Sequence, residues 1–371
     1  MTPRELRADV PAFDDAVYLN FGAHGPSPRA VVEAASDCLA DHEYDSGKND
    51  PYEVAFGAAD RARERTAELI GADPEEVALT ESTTDGINRI ATAVEFEPGD
   101  VVVRTDLEHP AGILPWQQLK REGIEVRVLE TEQGRVDRDA YTEAVADARL
   151  VCFSALTWTH GTRLPVADLV DIANDAGAFT LVDAVQVPGQ QEMDVHEWGA
   201  DAVAAAGHKW LLGLWGAGFL YIDRETAESF VPAAVGYRSV TDPTADDLEY
   251  SPGATRFEVG TTSPAPHAGL IEAIDNIEAI GIDAIESRIE TLTDRLKADI
   301  DDEKLLSPES YESGLVTIAV DDPEAVVERC AKENIIIRSL PYPEAVRVSV
   351  HAVSTAAEMD SVAACIEQAN E

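Results

Sequence analysis

The strongest constraint on the fold is an alternation of two periodicities. From Val77 to Val182, short apolar runs of strand type alternate with helical patterns. Strands are expected at 77–80, 101–104, 125–129, 150–156 and 179–182, with helices at 86–94, 113–122, 137–146 and 166–176 between them. Repeated strand–helix units build a mostly parallel sheet with helices on both faces. Such sheets take ligands outside the carboxyl ends of their strands. The polar loops at 80–84, 105–110, 157–163 and 183–186 all fall there.

A second stretch, Asp201 to Ile222, reads DAVAAAGHKWLLGLWGAGFLYI. Ala202–Ala206 suits a buried strand and Phe219–Ile222 a second one. His208, Lys209 and Trp210 lie on the turn between them. Lysine is seldom buried without a use, and a desolvated lysine amine loses its proton more easily and attacks carbonyls. Taken alone, GHK also suits a solvated surface turn. The length would match a membrane span, but the central His-Lys pair and the glycines exclude one.

Further loop residues add chemistry. Thr83 and Thr84 open a helix after a strand, where hydroxyls and free N–H groups cradle phosphate or simply cap. His109 follows a strand within Glu108-His109-Pro110. Asp183 ends FTLVD, where a carboxylate is costly unless it meets a cation, and Gln186 follows it. Gly260-Thr261-Thr262 closes RFEVGTT, and His24 lies in the loop YLNFGAHGPSP as a ligand-facing residue or a plain loop histidine.

Around this core, residues 1–16 read as an N-terminal arm, 17–255 as a large domain and 256–371 as a smaller C-terminal α/β domain. A long helical segment is expected at 267–297. Beyond it come strands at 315–320, 335–338 and 345–351 and helices at 323–332 and 356–368. The opening MTPRELRADVPAFDD holds no signal-peptide apolar run, which implies a cytoplasmic protein. The four cysteines (Cys38, Cys152, Cys330, Cys365) show no metal spacing, and buried free thiols are expected for most of them.

Charge excludes some partners. With 71 acidic residues against 28 basic ones, the net charge is -43. Phosphate backbones and anionic membranes would be repelled, so neither nucleic acid nor membrane is an expected partner. The acid is spread along the chain, as on a salt-adapted surface. Lys209 is one of few lysines, and it falls in the least surface-like stretch.

The ordered set TTDGIN, EHP, LVDAVQ, AGHKW and RFEVGTT resembles the class V aminotransferase family of pyridoxal 5'-phosphate (PLP) enzymes. That family includes cysteine desulfurases, C–S lyases and isopenicillin N epimerase-like proteins. The resemblance implies a PLP-dependent transferase fold of type I and a small amino acid as substrate. It implies Lys209 as the Schiff-base lysine and base, Asp183 as partner of the pyridine nitrogen, and His109 stacked on the ring. Gln186 would reach the ring's phenolic oxygen. Thr83, Thr84 and His208 would hold the phosphate. Thr261 would reach the phosphate of a partner subunit, which makes the protein a homodimer with a shared site. Arg347 would grip the α-carboxylate, and His24 is a further substrate-side candidate. Desulfurases carry a catalytic cysteine just before that arginine, whereas Arg338 to Glu344 holds none. The residues before GHK and around Trp158 also depart from the desulfurase pattern. A C–S lyase without a catalytic cysteine is therefore the expected activity. Amino-acid transamination or epimerisation is the alternative, and a catalytically silent PLP-fold binding protein is the alternative of another class.

The charge yields a direct test. At about 10 mM salt the Debye length grows to about 30 Å, and the -43 surface then repels itself across its full width. Stability to denaturant should therefore rise steeply from dilute buffer to molar potassium chloride. Equal stability in the two would refute the salt-adapted reading.

Overall fold

The computed structural model describes residues 1–369. The N-terminal arm is a docked helix, α1 (Pro3–Ala8), closed by a capping box between Thr2 and Glu5. Arg7 of α1 pairs with Glu358 at 2.7 Å. A short strand, β1 (Val17–Tyr18), leads to α2 (Arg29–Tyr44) and α3 (Pro51–Ile70). The alternation then follows: β2 (Val77–Thr80), α4 (Thr83–Ala93), β3 (Val101–Thr105), α5 (Leu114–Leu119), β4 (Glu125–Leu129), α6 (Arg138–Val145), β5 (Ala148–Ser154), α7 (Val166–Asp175) and β6 (Phe179–Asp183). A single turn, α8 (Val195–Trp198), precedes the pair β7 (Ala202–Ala206) and β8 (Gly218–Ile222), followed by α9 (Arg224–Ser229).

These strands form one sheet in the order β2-β8-β7-β6-β5-β3-β4. Every pairing is parallel except the two made by β8, which runs against β7 and β2. The strands read as nearly unbroken apolar runs because both faces are covered. Val103, Val151, Val182 and Val203 pack on one face. Val102, Leu150, Leu181 and Ala204 pack on the other.

The long helical segment expected at 267–297 is two helices, α10 (Pro264–Ile280) and α11 (Ile282–Lys297). They part at Gly281, whose φ of 91° a helix does not allow. Helix α10 packs on α2 and α3, and its Leu270 and Ile274 share an apolar cluster with Val31 and Leu211. The smaller sheet begins later, with β9 (Leu315–Ala319), and is flanked by α12 (Pro323–Lys332). The strand expected at 335–338 divides into β10 (Ile335–Ile336) and β11 (Arg338–Pro341). β10 pairs in parallel with β1, an N-terminal partner that local periodicity cannot announce. β11, β12 (Glu344–Ser349) and β9 form an antiparallel sheet, and α13 (Ala356–Ala369) covers it. No helix among the described residues is long and apolar enough to cross a membrane.

One buried ion group ties the RFEVGTT segment to the sheet. β2 is an edge strand, and the Leu79 N–H donates to Glu258 Oε1 at 3.0 Å. Glu258 also accepts from Arg63 at 2.7 Å and from Arg238 at 3.1 Å. Burial alone would push this carboxyl up, but the two guanidinium groups outweigh it and hold it below its ordinary range. Removing the acid leaves Arg63 Nη2 and the Leu79 N–H without partners in a buried place, although Arg63 keeps Asp60 at 2.8 Å. Glu258→Ala should cost about 3–5 kcal/mol of stability, read from denaturant midpoints in high salt. A loss below about 1 kcal/mol would show that the group is not structural.

Candidate active site

The carboxyl ends of β2, β3, β5 and β6 and the β7–β8 connection surround a cavity of about 170 Å³. Lys209, Asp183, His109, Gln186, His208, Thr83 and Thr84 all line it. The sequence expected each of these seven. Their convergence follows from topology: each sits in the first residues after a strand, or at its last residue, and parallel strands place those ends together.

The electrostatics are those of a dry pocket. Burial pushes the Lys209 amine down to about 7; Arg347 and Arg338 push the same way, and Asp183 opposes them. Asp183 accepts from the Val185 N–H at 3.0 Å, and burial raises its carboxyl against the pull of that bond and of Lys209. His109 is pushed down to about 4, first by burial and then by Lys209, Arg338 and Arg347. Its Nδ1 accepts from the Ala111 N–H at 3.2 Å, so the neutral ring carries its proton on Nε2. His208 is likewise pushed to about 4 by burial and by Lys209.

Several polar atoms here lack partners. Thr83 Oγ1 is buried at the start of α4 and bonds to nothing. Ser82 caps that helix by accepting from the Asp85 N–H at 3.2 Å. A buried orphan hydroxyl beside the first turn of a helix fits an anionic group of the phosphate kind. Arg347 on β12 is completely buried; Nη1 donates to the Trp158 carbonyl at 2.8 Å while Nε and Nη2 have no partner. Burial and Arg338 push its guanidinium down to about 9, so it remains charged at neutral pH. Gly22 lies between it and the cavity: a Cβ there would come within 2.9 Å of Nη2. These groups suit a carboxylate. The residues present therefore fit a flat cofactor carrying a phosphate, with an amino acid beside it.

Two expected residues lie apart. The His24 ring accepts from Trp215 Nε1 at 3.0 Å and is not part of the cavity wall. Thr261 is exposed. Its neighbours Gly260 and Thr262 line a separate cleft of about 440 Å³ with Arg238 and His267, beyond the Glu81–Asp85 turn. That cleft is larger, but it contains neither Lys209 nor Asp183.

The structure adds residues that the sequence did not assign to the site, though Trp158 stood out there as a departure from the desulfurase pattern. Arg338 lines the cavity and lies over the Trp158 ring at 5.9 Å. Trp158 meets His109 edge to face at 5.4 Å, and its own indole N–H is buried without a partner. Arg338 and Arg347 face each other across the β11–β12 register. Glu108 is buried behind His109, accepts from Thr105 and from Ser154, and is raised to about 7 by burial. No signal marks these from spacing alone, although an arginine beside an apolar strand could have drawn notice.

No cysteine lines the cavity among the described residues. Cys152 is buried and burial pushes its thiol well up, away from the reactive thiolate form. Cys330 and Cys365 lie against each other at 2.9 Å in the smaller domain's core. The segment after Arg338 is closed into a hairpin in which Pro341 pairs with Glu344.

Residues 17–362 match the family model described as "Aminotransferase class-V". A probable cysteine desulfurase of Methanothermobacter thermautotrophicus is 33% identical over 305 residues, 81% of this chain and 76% of that protein. The apo structure of a cysteine desulfurase from Thermococcus onnurineus NA1 superposes with a TM-score of 0.91 at 27% identity, covering 100% of this chain and 98% of that one. A cystine C–S lyase, solved with its reaction product cysteine persulfide, superposes with a TM-score of 0.89 at 25% identity, covering 96% and 98%.

The lowered amine gives a measurable consequence. In cofactor-free protein, capture of an aromatic aldehyde by Lys209 should rise with pH through about 7, because the free amine forms as its proton leaves. Borohydride trapping and mass spectrometry read the adduct. A midpoint near that of an ordinary lysine, about 10.4, would overturn the desolvated reading.

Proposed function

The chain belongs to the class V aminotransferase family, and from that premise we propose a homodimeric, PLP-dependent C–S lyase acting on a cysteine-type amino acid. The observation that carries this reading is the closed β11–β12 hairpin, with no thiol on the cavity wall among the described residues. The neighbour whose title names it a cystine C–S lyase supports the same choice.

Lys209 would hold the cofactor through its ε-amine, Asp183 would face the pyridine nitrogen, and His109 would stack on the ring. Gln186 would meet the ring's phenolic oxygen, while Thr83, Thr84 and His208 would take the phosphate. Bound there, PLP supplies the electron sink that makes an amino acid's Cα proton acidic. Arg347 binds the α-carboxylate through its unpartnered Nε and Nη2, which suit a bidentate grip. That grip holds Cα near the Lys209 amine. Burial lowers this amine to about 7, so a substantial share of it is free near neutral pH and can take the Cα proton as a general base. The electron pair left by that proton expels the β-sulfur, and Trp158 and the cavity wall keep bulk water from the reacting atoms. The overall balance turns a cysteine-type substrate and water into pyruvate, ammonia and sulfide or a persulfide. A desulfurase needs instead a nucleophilic thiol to draw the sulfur away. Thr261, exposed and outside its own chain's cavity, is free to complete the site of a second copy, which supports the homodimer.

Product analysis in high salt tests the reading. Cystine or a related cysteine derivative should give pyruvate and ammonia, and Lys209→Ala should abolish both. Serine at positions 38, 152, 330 and 365 together should leave turnover within about an order of magnitude. Arg347→Ala should raise KM roughly ten- to hundredfold, since a hydrogen bond to a charged group contributes about 1.5–3 kcal/mol. Alanine as product, lost in one of the cysteine variants, would restore the desulfurase. A keto acid with its sulfur retained would mark an aminotransferase.

A further inference from the structure

Gln186 has a carboxamide whose orientation is settled by its neighbours. Trp210 Nε1 donates to Gln186 Oε1 at 2.8 Å, and an indole nitrogen can only donate. Gln186 Nε2 donates to the Gly22 carbonyl at 2.9 Å. The oxygen is thus held on the tryptophan side, and one N–H of Nε2 remains uncommitted on a residue that lines the cavity.

Trp210 is itself fixed from two sides. Its ring is completely buried and stacks with Phe21 and His351, whose rings lie 6.3 Å and 6.1 Å away. His351 Nδ1 accepts from the Val353 N–H at 3.2 Å, so its Nε2–H donates to the Trp210 carbonyl at 3.0 Å. Two glycines leave room for this tryptophan. A Cβ at Gly314 would approach its ring to 2.8 Å, and one at Gly189 would approach its backbone to 2.5 Å. His351 follows β12, the strand that carries Arg347, and Trp210 follows Lys209 in the chain. One contact thus joins the strand of the carboxylate-binding arginine to the turn of the lysine and to Gln186.

We propose that Trp210 is a positioning residue of the active site: clamped by His351, its indole N–H holds the Gln186 carboxamide so that the free N–H faces the cofactor's ring oxygen. This rests on the PLP reading above and goes beyond it. A tryptophan kept only for packing would need its ring and not its N–H.

The test uses the PLP-loaded enzyme and reads the pH midpoint of the bound cofactor's visible absorbance, not turnover. An N–H aimed at the ring oxygen favours its deprotonated form, so losing that N–H raises the midpoint. Gln186→Ala should raise it by roughly one unit. Trp210→Phe keeps an aromatic ring without the N–H, and it should shift the midpoint the same way. The double variant should shift no further than Gln186→Ala alone. If Trp210→Phe does not fold, 3-benzothienylalanine at position 210 keeps the ring's shape and lacks the N–H. A normal midpoint in the Trp210 variant, with a raised one in Gln186→Ala, overturns the positioning role and leaves the PLP reading intact. A normal midpoint in Gln186→Ala overturns the contact to the ring oxygen and the proposal with it. Protein that takes up no PLP even as wild type would instead sink the reading on which both rest.

Discussion

A primary amine kept out of water organises this protein. Lys209 sits where burial and two nearby guanidinium groups all disfavour its charge, and only Asp183 favours it. Such an arrangement is costly unless the neutral amine or a bond to it is the state that matters. The rest of the cavity serves the same end. His109 is held neutral by burial, Lys209 and the same two guanidinium groups, and His208 by burial, Lys209 and His24. A pocket this dry strengthens every charge–dipole contact made inside it.

The second constraint is where cations stand without carboxylates. The surface is strongly acidic, and many of its arginines pair with acids, as Arg7 does with Glu358 and Arg295 with Asp360. Arg347 and Arg338 have no acidic partner among the described residues; both lie on strands of the smaller sheet, and Arg338 lines the cavity. A cationic pocket in an anionic shell concentrates the field that an amino acid's carboxylate meets last. The hairpin that carries these arginines is short, with Pro341 paired to Glu344.

Long-range contacts tie the parts together. The parallel pairing of β1 with β10 joins the N-terminal segment to the C-terminal part, and the contact of His351 with Trp210 joins the end of β12 to the Lys209 turn. The N-terminal helix adds the Arg7–Glu358 pair at a distance. The site is therefore built on contacts of very long sequence separation, the kind that cost most loop entropy to form and that hold geometry once formed.

Much of this was legible from sequence. The strand–helix alternation determined the parallel sheet because side-chain periodicity reports burial locally. Seven of the cavity's residues were legible for the same reason: each lies at the end of a strand or in the first residues after it, and parallel strands bring their carboxyl ends to one edge. Gly281, by contrast, broke a helix that periodicity had run together, because a positive φ leaves no trace in apolar spacing. Only tertiary structure decided that β10 joins β1, that His24 turns to Trp215, and that Thr261 and its neighbours lie away from Lys209. It also brought Arg338, Trp158 and Glu108 to the site and held Gln186 by Trp210. Those are contacts between residues far apart in the chain, and spacing along one segment carries no information about which distant side chain will meet it.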